Sequence, residues 1–278
     1  MTSSARGPAL DLSELRALLF LPASNPRAIA KARASAADLV ILDLEDAVKH
    51  EDKDRARAAA IAALADDWPM PVAIRVNATM SDWHAADVAA VAASRADLVV
   101  VPRVARAEEI TSVADAVSRP VAAMIETAAG VLAAAEVARV AAALIAGTND
   151  LSADLKLPPG AGREPLQAAL QMIVIAARAS GIAVFDGVFN AIGDSEGFAV
   201  EAAQSRALGF DGKSLIHPDQ IALCHAAFAP GAEELARAER LLAAATGGAE
   251  RFEDTMIESM HVEAARRLLA RQSALTRR

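Results

Sequence analysis

The sequence contains a single cysteine, Cys224, and few aromatic residues, which make up 3% of the chain. One thiol closes no disulfide within the chain and supplies no thiolate cluster, so any metal must bind through oxygen or nitrogen. Acidic residues outnumber basic ones and give a net charge of -8 at pH 7. An acidic chain without a basic, aromatic-lined face repels a phosphate backbone, so we expect no nucleic-acid partner.

Long hydrophobic runs are also missing. The segment Met1–Leu15 has one arginine and no apolar stretch of the kind found in secretory signals. The most apolar region, Ala128–Ala146, is interrupted by Glu136 and Arg139, so it falls short of the roughly 18 uninterrupted apolar residues that a membrane span needs. We therefore expect a cytoplasmic protein with no membrane partner.

Short apolar runs alternate with longer alanine-rich stretches of helical spacing, a pattern typical of βαβ units. The apolar runs predict eight strands: Ala17–Leu21, Leu39–Leu44, Val72–Val76, Leu98–Val101, Val121–Ile125, Leu144–Ala146, Ile182–Phe185 and Lys213–Ile216. The stretches between them predict helices at Lys53–Asp67, Asp82–Ser94, Glu108–Val117, Pro165–Ala179 and Glu196–Leu208. Eight such repeats in 278 residues predict a (β/α)8 TIM barrel, with a doubly wound open sheet as the alternative.

The end of the chain has the pattern of a helical extension. We assign residues 1–228 to the barrel and residues 229–278 to a C-terminal helical lid or extension. Helices are predicted at Ala232–Ala244 and Met256–Ala270, with Gly247 and Gly248 as a hinge between them. The arginines near the end favour a solvent-exposed helix face over a ligand site; they are Arg266, Arg267, Arg271, Arg277 and Arg278.

Polar residues concentrate at the carboxyl ends of the predicted strands, where the loops of a TIM barrel converge on the active site. They are Ser24, Asn25, Asp43, Glu45, Asp46, Arg75, Asn77, Arg103, Glu126, Asn149, Asp150, Asp186 and His217. Several carboxylates at one mouth are costly to bury unless they are paired, protonated or neutralised by a cation. The sequence therefore predicts a charged site at this end of the barrel.

Glu126 and Asp150 follow adjacent predicted strands and are candidate ligands of a divalent cation. Oxygen ligands without a nearby histidine or cysteine suit Mg²⁺, which takes its remaining ligands from water and substrate. The alternative is that Asp150 caps the following helix and Glu126 pairs with Arg75. Arg75 also has two interpretations, a clamp for a carboxylate or developing enolate oxygen, or an ion pair with Asp43 or Glu45.

Three further positions carry weaker patterns. Ser24 and Asn25, followed by Pro26, predict a capped helix start that can also receive a phosphate, with capping favoured. His217 is interpreted as a hydrogen-bonding residue at the mouth rather than as a base. Cys224 has no paired histidine and is interpreted as a core residue.

Six segments, taken in order, resemble one known family. They read LFLPASNP (19–26), LDLEDAV (42–48), IRVNA (74–78), MIETAAG (124–130), GTNDLSADL (147–155) and GFDGKSLIHPDQI (209–221). Together they resemble the citrate lyase β-subunit-like enzymes of the HpcH/HpaI aldolase and citrate lyase superfamily over nearly the whole chain. The resemblance implies a TIM barrel, a Mg²⁺ site made by Glu126 and Asp150, and an Arg75 that contacts the oxo-acid part of the substrate.

The resemblance also implies a reaction on coenzyme A thioesters. A 3-hydroxyacyl-CoA such as citryl-, malyl- or citramalyl-CoA is cleaved to acetyl-CoA, or a relative of it, and a 2-oxo acid. It implies that the backbone N–H groups of Gly147 and Thr148 hold the acid's carboxylate, and that the protein is a homotrimer or hexamer whose C-terminal segment closes a neighbour's site. Predicted substrate contacts also include Asn149, Ser24 and Asn25.

The chain departs from the family pattern at several places. The C-terminal pattern G-x-M-[IV]-D-x-P has an acid/base aspartate where this chain has Glu258, and its glycine and proline are missing. Ala23 replaces a usual glycine, and Asn149 replaces a usual glutamate before the metal aspartate. A longer carboxylate at position 258 changes where a proton is transferred, because acid/base groups act only within hydrogen-bonding distance.

The strand-two acids distinguish two branches of the superfamily. Glu45 is followed by Asp46 rather than by the histidine base of the pyruvate aldolases, which favours the CoA-ester lyases. We assign Glu45 and Asp46 to orienting metal-bound water. The expected function is a Mg²⁺-dependent acyl-CoA carbon-carbon lyase with Glu258 as the candidate acid/base. The alternatives are a class II aldolase acting on a free 4-hydroxy-2-oxo acid and a non-catalytic CoA-ester-binding subunit of a larger lyase complex.

Overall fold

The computed structural model describes residues 10–276. The first nine residues of the segment tested for a secretory signal, and two of the terminal arginines, Arg277 and Arg278, lie outside the described residues. Within residues 10–276, no helix is both long enough and apolar enough to cross a membrane.

Eight parallel strands form a closed barrel in chain order. They are β1 Ala17–Pro22, β2 Leu39–Asp43, β3 Val72–Arg75, β4 Leu98–Val101, β5 Val121–Ile125, β6 Ala143–Ala146, β7 Ala183–Asp186 and β8 Gly212–Leu215. The ring closes because Leu18 of β1 pairs with Leu39 on one side and with Ser214 of β8 on the other. The predicted TIM barrel is confirmed, and the open-sheet alternative is wrong because β1 has a neighbour on both edges.

Nine helices accompany the strands in this part of the chain. They are α1 Pro26–Arg33, α2 Lys53–Ala63, α3 His84–Ala92, α4 Ala107–Val117, α5 Ala128–Ala138, α6 Thr148–Asp154, α7 Gln167–Ser180, α8 Ser195–Leu208 and α9 Gln220–Phe228. All eight strand predictions are correct to within one residue at either end. Helix ends are less accurate, since α2 stops at Ala63 rather than Asp67 and α3 starts at His84 rather than Asp82.

The interior of the barrel is filled by side chains from alternate strand positions, because successive residues of a strand point to opposite faces. The interior cluster includes Leu18, Leu39, Ile41, Ala73, Leu98, Val100, Ala122, Met124, Ala143, Ile145, Ala183 and Phe185. Leu12 and Leu15, which precede β1, belong to the same cluster. This apolar filling leaves only the carboxyl end of the barrel open to polar chemistry.

The chain divides into two compact units, the first ending at Ala227 and the second beginning at Phe228. The second unit contains α10 Ala232–Ala244, the antiparallel strands β9 Glu250–Phe252 and β10 Thr255–Ile257, and α11 Ser259–Thr276. Its own small core is formed by Ala238, Leu241, Phe252, Ile257 and Ala265.

The sequence prediction for this unit needs one correction. The helix predicted from Met256 begins only at Ser259, because Met256 and Ile257 belong to β10. Gly247 and Gly248 do break the chain as expected, with φ angles of 100° and 123° that favour glycine.

A buried ion network ties β7 to β8 on the outer face of the barrel. Lys213 is 0% exposed, and its Nζ donates to Asp186 Oδ2 at 2.8 Å, to Glu201 Oε1 at 2.7 Å and to the Gly187 carbonyl at 2.6 Å. Arg163 adds a second cation 2.8 Å from Asp186. Burial alone raises the pKa of the Asp186 carboxyl, but Lys213 and Arg163 more than offset it and hold that pKa below its ordinary value.

Replacing Lys213 with methionine is expected to lower the free energy of unfolding by about 3 kcal/mol at pH 7, because it removes the fully buried cation of the network and leaves Arg163 as the cation that remains beside Asp186 and Glu201. Urea denaturation measures the change. The matched change Arg95→Met removes a largely exposed partner of Asp67 and is expected to cost about 1 kcal/mol or less. Equal losses in the two variants would contradict the buried network as a source of stability.

The same network predicts a pH dependence. The pKa of Asp186 is lowered on folding, so its stabilisation is present above the ordinary carboxyl pKa and is lost as the pH falls through the folded value. The difference in unfolding free energy between the wild type and Lys213→Met is therefore expected to shrink below about pH 4. Denaturation curves at several pH values test this.

Candidate active site

A cavity of about 370 Å³ opens at the carboxyl ends of the strands. Its apolar wall is formed mainly by Phe20, Leu21, Pro22, Met124, Val188 and Ile216. Its polar lining consists of Asp43, Asp46, Arg75, Glu126, Thr148, Asn149, Asp150 and Ser214, together with the backbone at Gly147. Six of the thirteen predicted strand-end residues therefore line one cavity: Asp43, Asp46, Arg75, Glu126, Asn149 and Asp150. Asp186 belongs instead to the ion network with Lys213 on the outer face of the barrel.

Arg75 lies at the end of β3, buried between two carboxylates. Its Nε and Nη2 donate to the two oxygens of Asp43 at 2.7 and 2.6 Å, and its Nη1 lies 3.0 Å from Glu45 Oε2. Burial alone would lower the pKa of Arg75, but the charge of Asp43 raises it above the ordinary value. The predicted ion pair is therefore present, and Arg75 also lines the cavity, as a substrate clamp must.

Glu45 and Asp46 differ in their surroundings although they are neighbours. Glu45 is buried, and burial raises its pKa to about 8, partly opposed by Arg75. Asp46 lines the cavity with a mostly exposed side chain, 3.9 Å from Arg75 Nη1. Glu45 thus helps to fix the guanidinium, whereas Asp46 faces solvent and any bound ligand.

Glu126 follows β5, and one of its carboxylate oxygens accepts a hydrogen bond whereas the other has no hydrogen-bond partner among the described residues. Its Oε1 accepts a hydrogen bond of 2.6 Å from the backbone N–H of Arg103, whereas its buried Oε2 has no hydrogen-bond partner among the described residues. Burial raises the pKa of Glu126 to about 7, opposed by Arg75 and reinforced by Asp150. The predicted alternative, an ion pair between Glu126 and Arg75, is not found within residues 10–276.

Asp150 lies in the first turn of α6, which begins directly after β6 and Gly147. Its Oδ1 accepts a hydrogen bond of 2.9 Å from Arg103 Nη1. A carboxylate in the first turn is favoured by the helix dipole. Asp150 and Glu126 line the same cavity, and their role as metal ligands stays a prediction.

The donor set fits a magnesium ion. Glu126 offers a buried oxygen without a partner, Asp150 offers a second carboxylate, and no thiolate or imidazole accompanies them in the lining. Among the described residues, no group of three or more His, Cys, Asp or Glu side chains is arranged around one metal position. Two carboxylates suit a cation that takes its other ligands from water and substrate.

Gly147 is required by the packing around Glu126. A Cβ at this position would lie 2.2 Å from Glu126 Oε2, and the φ of -105° shows that the backbone itself does not need glycine. The N–H of Gly147 donates to the Ile125 carbonyl at 3.1 Å, so its use for a substrate carboxylate has this bond to compete with and stays a prediction. Thr148 and Asn149 line the cavity at the first turn of α6, where helix N–H groups have no intrahelical partner.

Several predicted contacts have other partners in the structure. The Oδ1 of Asn25 caps α1 by accepting hydrogen bonds from Arg27 and Ala28, and neither Ser24 nor Asn25 is among the residues lining the cavity. Asn149 forms a reciprocal amide pair with Asn190, with distances of 2.7 and 3.2 Å. Substrate binding by Ser24 and Asn25 stays a prediction, whereas capping by Asn25 is observed.

Two further residues were not singled out from the sequence. Lys53 is buried at the start of α2, and its Nζ donates to the carbonyls of Leu44 and Glu45 and to Asn77 Oδ1, which fixes the chain after β2. Ser214 of β8 lines the cavity, and its Oγ has no hydrogen-bond partner among the described residues. In the sequence, Lys53 is marked only by its position eight residues after Glu45, an acid at the end of a predicted strand. No feature of the sequence distinguishes Ser214 as a cavity residue.

Glu258 belongs to the second unit, between β10 and α11. Its backbone N–H donates to His261 Nδ1 at 3.0 Å, and the residue is partly buried. Its assignment as the acid/base stays a prediction.

Eight parallel strands around a candidate cation site of oxygen ligands, with a buried arginine beside it, are the features of a metal-dependent TIM-barrel enzyme. The chain belongs to the HpcH/HpaI aldolase/citrate lyase family, whose model matches residues 16–218. This confirms the resemblance found in the six sequence segments.

Two curated relatives illustrate the similarity. A (3S)-malyl-CoA thioesterase of Cereibacter sphaeroides is 40% identical over 271 residues, covering 94% of this chain and 95% of the relative. Citrate lyase subunit beta of Escherichia coli is 32% identical over 279 residues, covering 92% of each chain.

Among solved structures, CitE from Mycobacterium tuberculosis in complex with magnesium, acetoacetate and coenzyme A superposes with a TM-score of 0.85. It is 36% identical and covers 94% of this chain and 100% of its own. A citrate lyase beta subunit from the same organism, complexed with oxaloacetate and magnesium, has a TM-score of 0.73 and 35% identity, covering 80% of this chain and 100% of its own.

The variant Gly147→Ala is expected to weaken divalent-cation binding by about tenfold or more, because its Cβ displaces the Glu126 carboxylate. Mn²⁺ binding followed by electron paramagnetic resonance measures this. Gly193→Ala is the matched control, since nothing lies within 4 Å of a Cβ there, and it is expected to bind as the wild type does. Unchanged binding in Gly147→Ala would show that Glu126 is not a ligand.

Proposed function

We propose that the protein is a magnesium-dependent acyl-CoA lyase that cleaves a 3-hydroxyacyl-CoA into acetyl-CoA, or a relative of it, and a 2-oxo acid. The observation that carries this function is the unpartnered Oε2 of Glu126, a residue that lines the same cavity as Asp150 and Arg75. Substrates of the citryl-, malyl- and citramalyl-CoA type all contain the acid and hydroxyl groups that such a site binds.

The relatives support both the cofactor and the substrate class. The Mycobacterium tuberculosis protein binds magnesium, acetoacetate and coenzyme A, and the Cereibacter sphaeroides relative is named for malyl-CoA. In this chain, Glu126 and Asp150 are the residues that would hold the magnesium ion. When bound, the ion supplies Lewis-acid chemistry at the oxygens of the acid.

The protein's own charges favour breakage of the carbon-carbon bond. The hydroxyl proton passes to a base, the electron pair of the broken bond passes to the thioester fragment as an enolate, and the α-carbon of that fragment then receives a proton. Arg75 provides fixed positive charge beside the reacting acid, and Asp43 with Glu45 holds its guanidinium in place. Preorganised charge of this kind needs no rearrangement during the reaction.

The proton steps are assigned to Glu258, and the orientation of water on the cation to Glu45 and Asp46. The N–H groups in the first turn of α6, at Thr148 and Asn149, bind the acid's carboxylate. The N–H of Gly147 is a less available donor than these two, because it is already bound to Ile125.

Thioester hydrolysis is a second candidate function, favoured by the 40% identity to a (3S)-malyl-CoA thioesterase. In that reaction water attacks the thioester carbonyl, the carbon-sulfur bond breaks, and the products are free CoA and the hydroxy acid. The products separate the two functions, since only the lyase releases a 2-oxo acid.

We also propose a cytoplasmic homo-oligomer, a trimer or hexamer, in which the C-terminal segment closes a neighbour's site. The family resemblance supports the oligomer. The single cysteine is consistent with a reducing compartment.

The lyase is tested with a panel of citryl-, malyl- and citramalyl-CoA, following 2-oxo acid, acetyl-CoA and free CoA. We expect Mg²⁺-dependent release of 2-oxo acid that chelation with EDTA abolishes and that Glu126→Gln or Asp150→Asn lowers by about 100-fold in kcat/KM. Glu136→Gln, the same change at an exposed position of α5, is expected to leave the rate unchanged. Free CoA without 2-oxo acid would instead establish the thioesterase.

Glu258→Gln is expected to lower kcat by about 100-fold while leaving Mn²⁺ affinity unchanged, because an amide cannot transfer the proton. Glu258→Asp keeps the carboxylate and is expected to retain more of the rate than Glu258→Gln. Glu263→Gln, on the first turns of α11, serves as the control. A Glu258→Gln enzyme as fast as the wild type would remove Glu258 from the proton steps.

A further inference from the structure

Arg103 contacts both carboxylates of the candidate cation site from a single backbone position. It follows β4, and its φ of 54° places a residue other than glycine in the left-handed region. In that conformation its N–H donates to Glu126 Oε1 at 2.6 Å, and its guanidinium reaches Asp150 Oδ1 at 2.9 Å. Left-handed backbone at a residue other than glycine costs about 1 kcal/mol or more and persists where the surroundings demand it.

The two contacts have different consequences for a cation. The backbone N–H occupies only Oε1 of Glu126 and leaves Oε2 available, so it orients the ligand without opposing the metal. The guanidinium, in contrast, brings a positive charge onto the carboxylate of Asp150. A divalent cation that binds the same carboxylate must share it with this charge or displace it.

The Arg103 side chain is free to be displaced. It is 48% exposed, so moving the guanidinium away from Asp150 returns it to water at modest cost. Arg75, the other cation of the site, is buried and held by Asp43 and Glu45, so it cannot make the same exchange. Arg103 is therefore the charge that responds when a metal arrives.

We propose that the guanidinium of Arg103 competes with the divalent cation for Asp150 and so sets the affinity of the metal site, while its left-handed backbone fixes Glu126. Arg103 is thus a positioning residue whose charge keeps cation binding weaker than the two carboxylates alone would make it. This inference rests on the proposed function, because it takes Glu126 and Asp150 as the ligands.

The test measures the dissociation constant of Mn²⁺ by electron paramagnetic resonance in the whole protein. Arg103→Met keeps an unbranched side chain and the cost of the left-handed backbone but removes the charge, and we expect Mn²⁺ to bind about three to ten times more tightly. Arg103→Gly also removes the charge and relieves the left-handed strain, so the same tightening is expected. Arg103→Lys keeps the charge and is expected to bind as the wild type does, to within about twofold.

Arg106→Met is the matched control, because Arg106 is an exposed arginine of the same loop and contacts neither Asp150 nor Glu126. It changes the net charge equally and is expected to leave the Mn²⁺ affinity unchanged. Equal tightening in Arg106→Met and Arg103→Met would assign the effect to overall charge and overturn the inference. Unchanged or weaker binding in Arg103→Met would overturn it as well.

Glu126→Gln distinguishes this failure from failure of the proposed function. If the wild type binds Mn²⁺ and Glu126→Gln does not, the cation site is established, and the Arg103 variants decide the inference alone. If Glu126→Gln binds Mn²⁺ as well as the wild type does, the cation site itself is wrong, and the inference falls with it.

Discussion

The buried pairing of Arg75 with Asp43 and Glu45 is the interaction on which the mouth of the barrel depends. One guanidinium supplies the positive charge for two buried carboxylates, and the two carboxylates hold the guanidinium in one orientation. The two roles predicted for Arg75, an ion pair and a clamp for the substrate, are therefore compatible with each other. A side chain fixed by two partners still presents its positive charge to the cavity, and fixation is what electrostatic catalysis requires.

Strand positions were predictable because strands buried on both faces are continuously apolar, so their ends are marked by the first polar residue. The same logic placed Glu126 and Asp150 at one mouth. The strands β9 and β10 were missed because three residues each are too few to show a periodicity, and Met256 fits a helical pattern equally well.

Other features of the site depend on geometry that the sequence does not display. Arg103 was recognisable as a strand-end cation, but its reach to Asp150 follows from a left-handed φ that no local pattern indicates. Similarly, Gly147 was assigned to substrate binding through its N–H, whereas the structure shows that its missing Cβ is what matters to Glu126. The sequence identified Arg103 and Gly147 as residues at the mouth of the barrel, but the contacts of each residue could be read only from the structure.

Closure of the barrel through β1 and β8 has a consequence for synthesis on the ribosome. Leu18 finds its partner Ser214 only after nearly all of the first unit has been made. Until then β1 and the most recently made strand are unpaired edges, which are templates for pairing with other chains. A growing chain arrested before β8 is therefore the form of this protein most exposed to aggregation, and most in need of a chaperone.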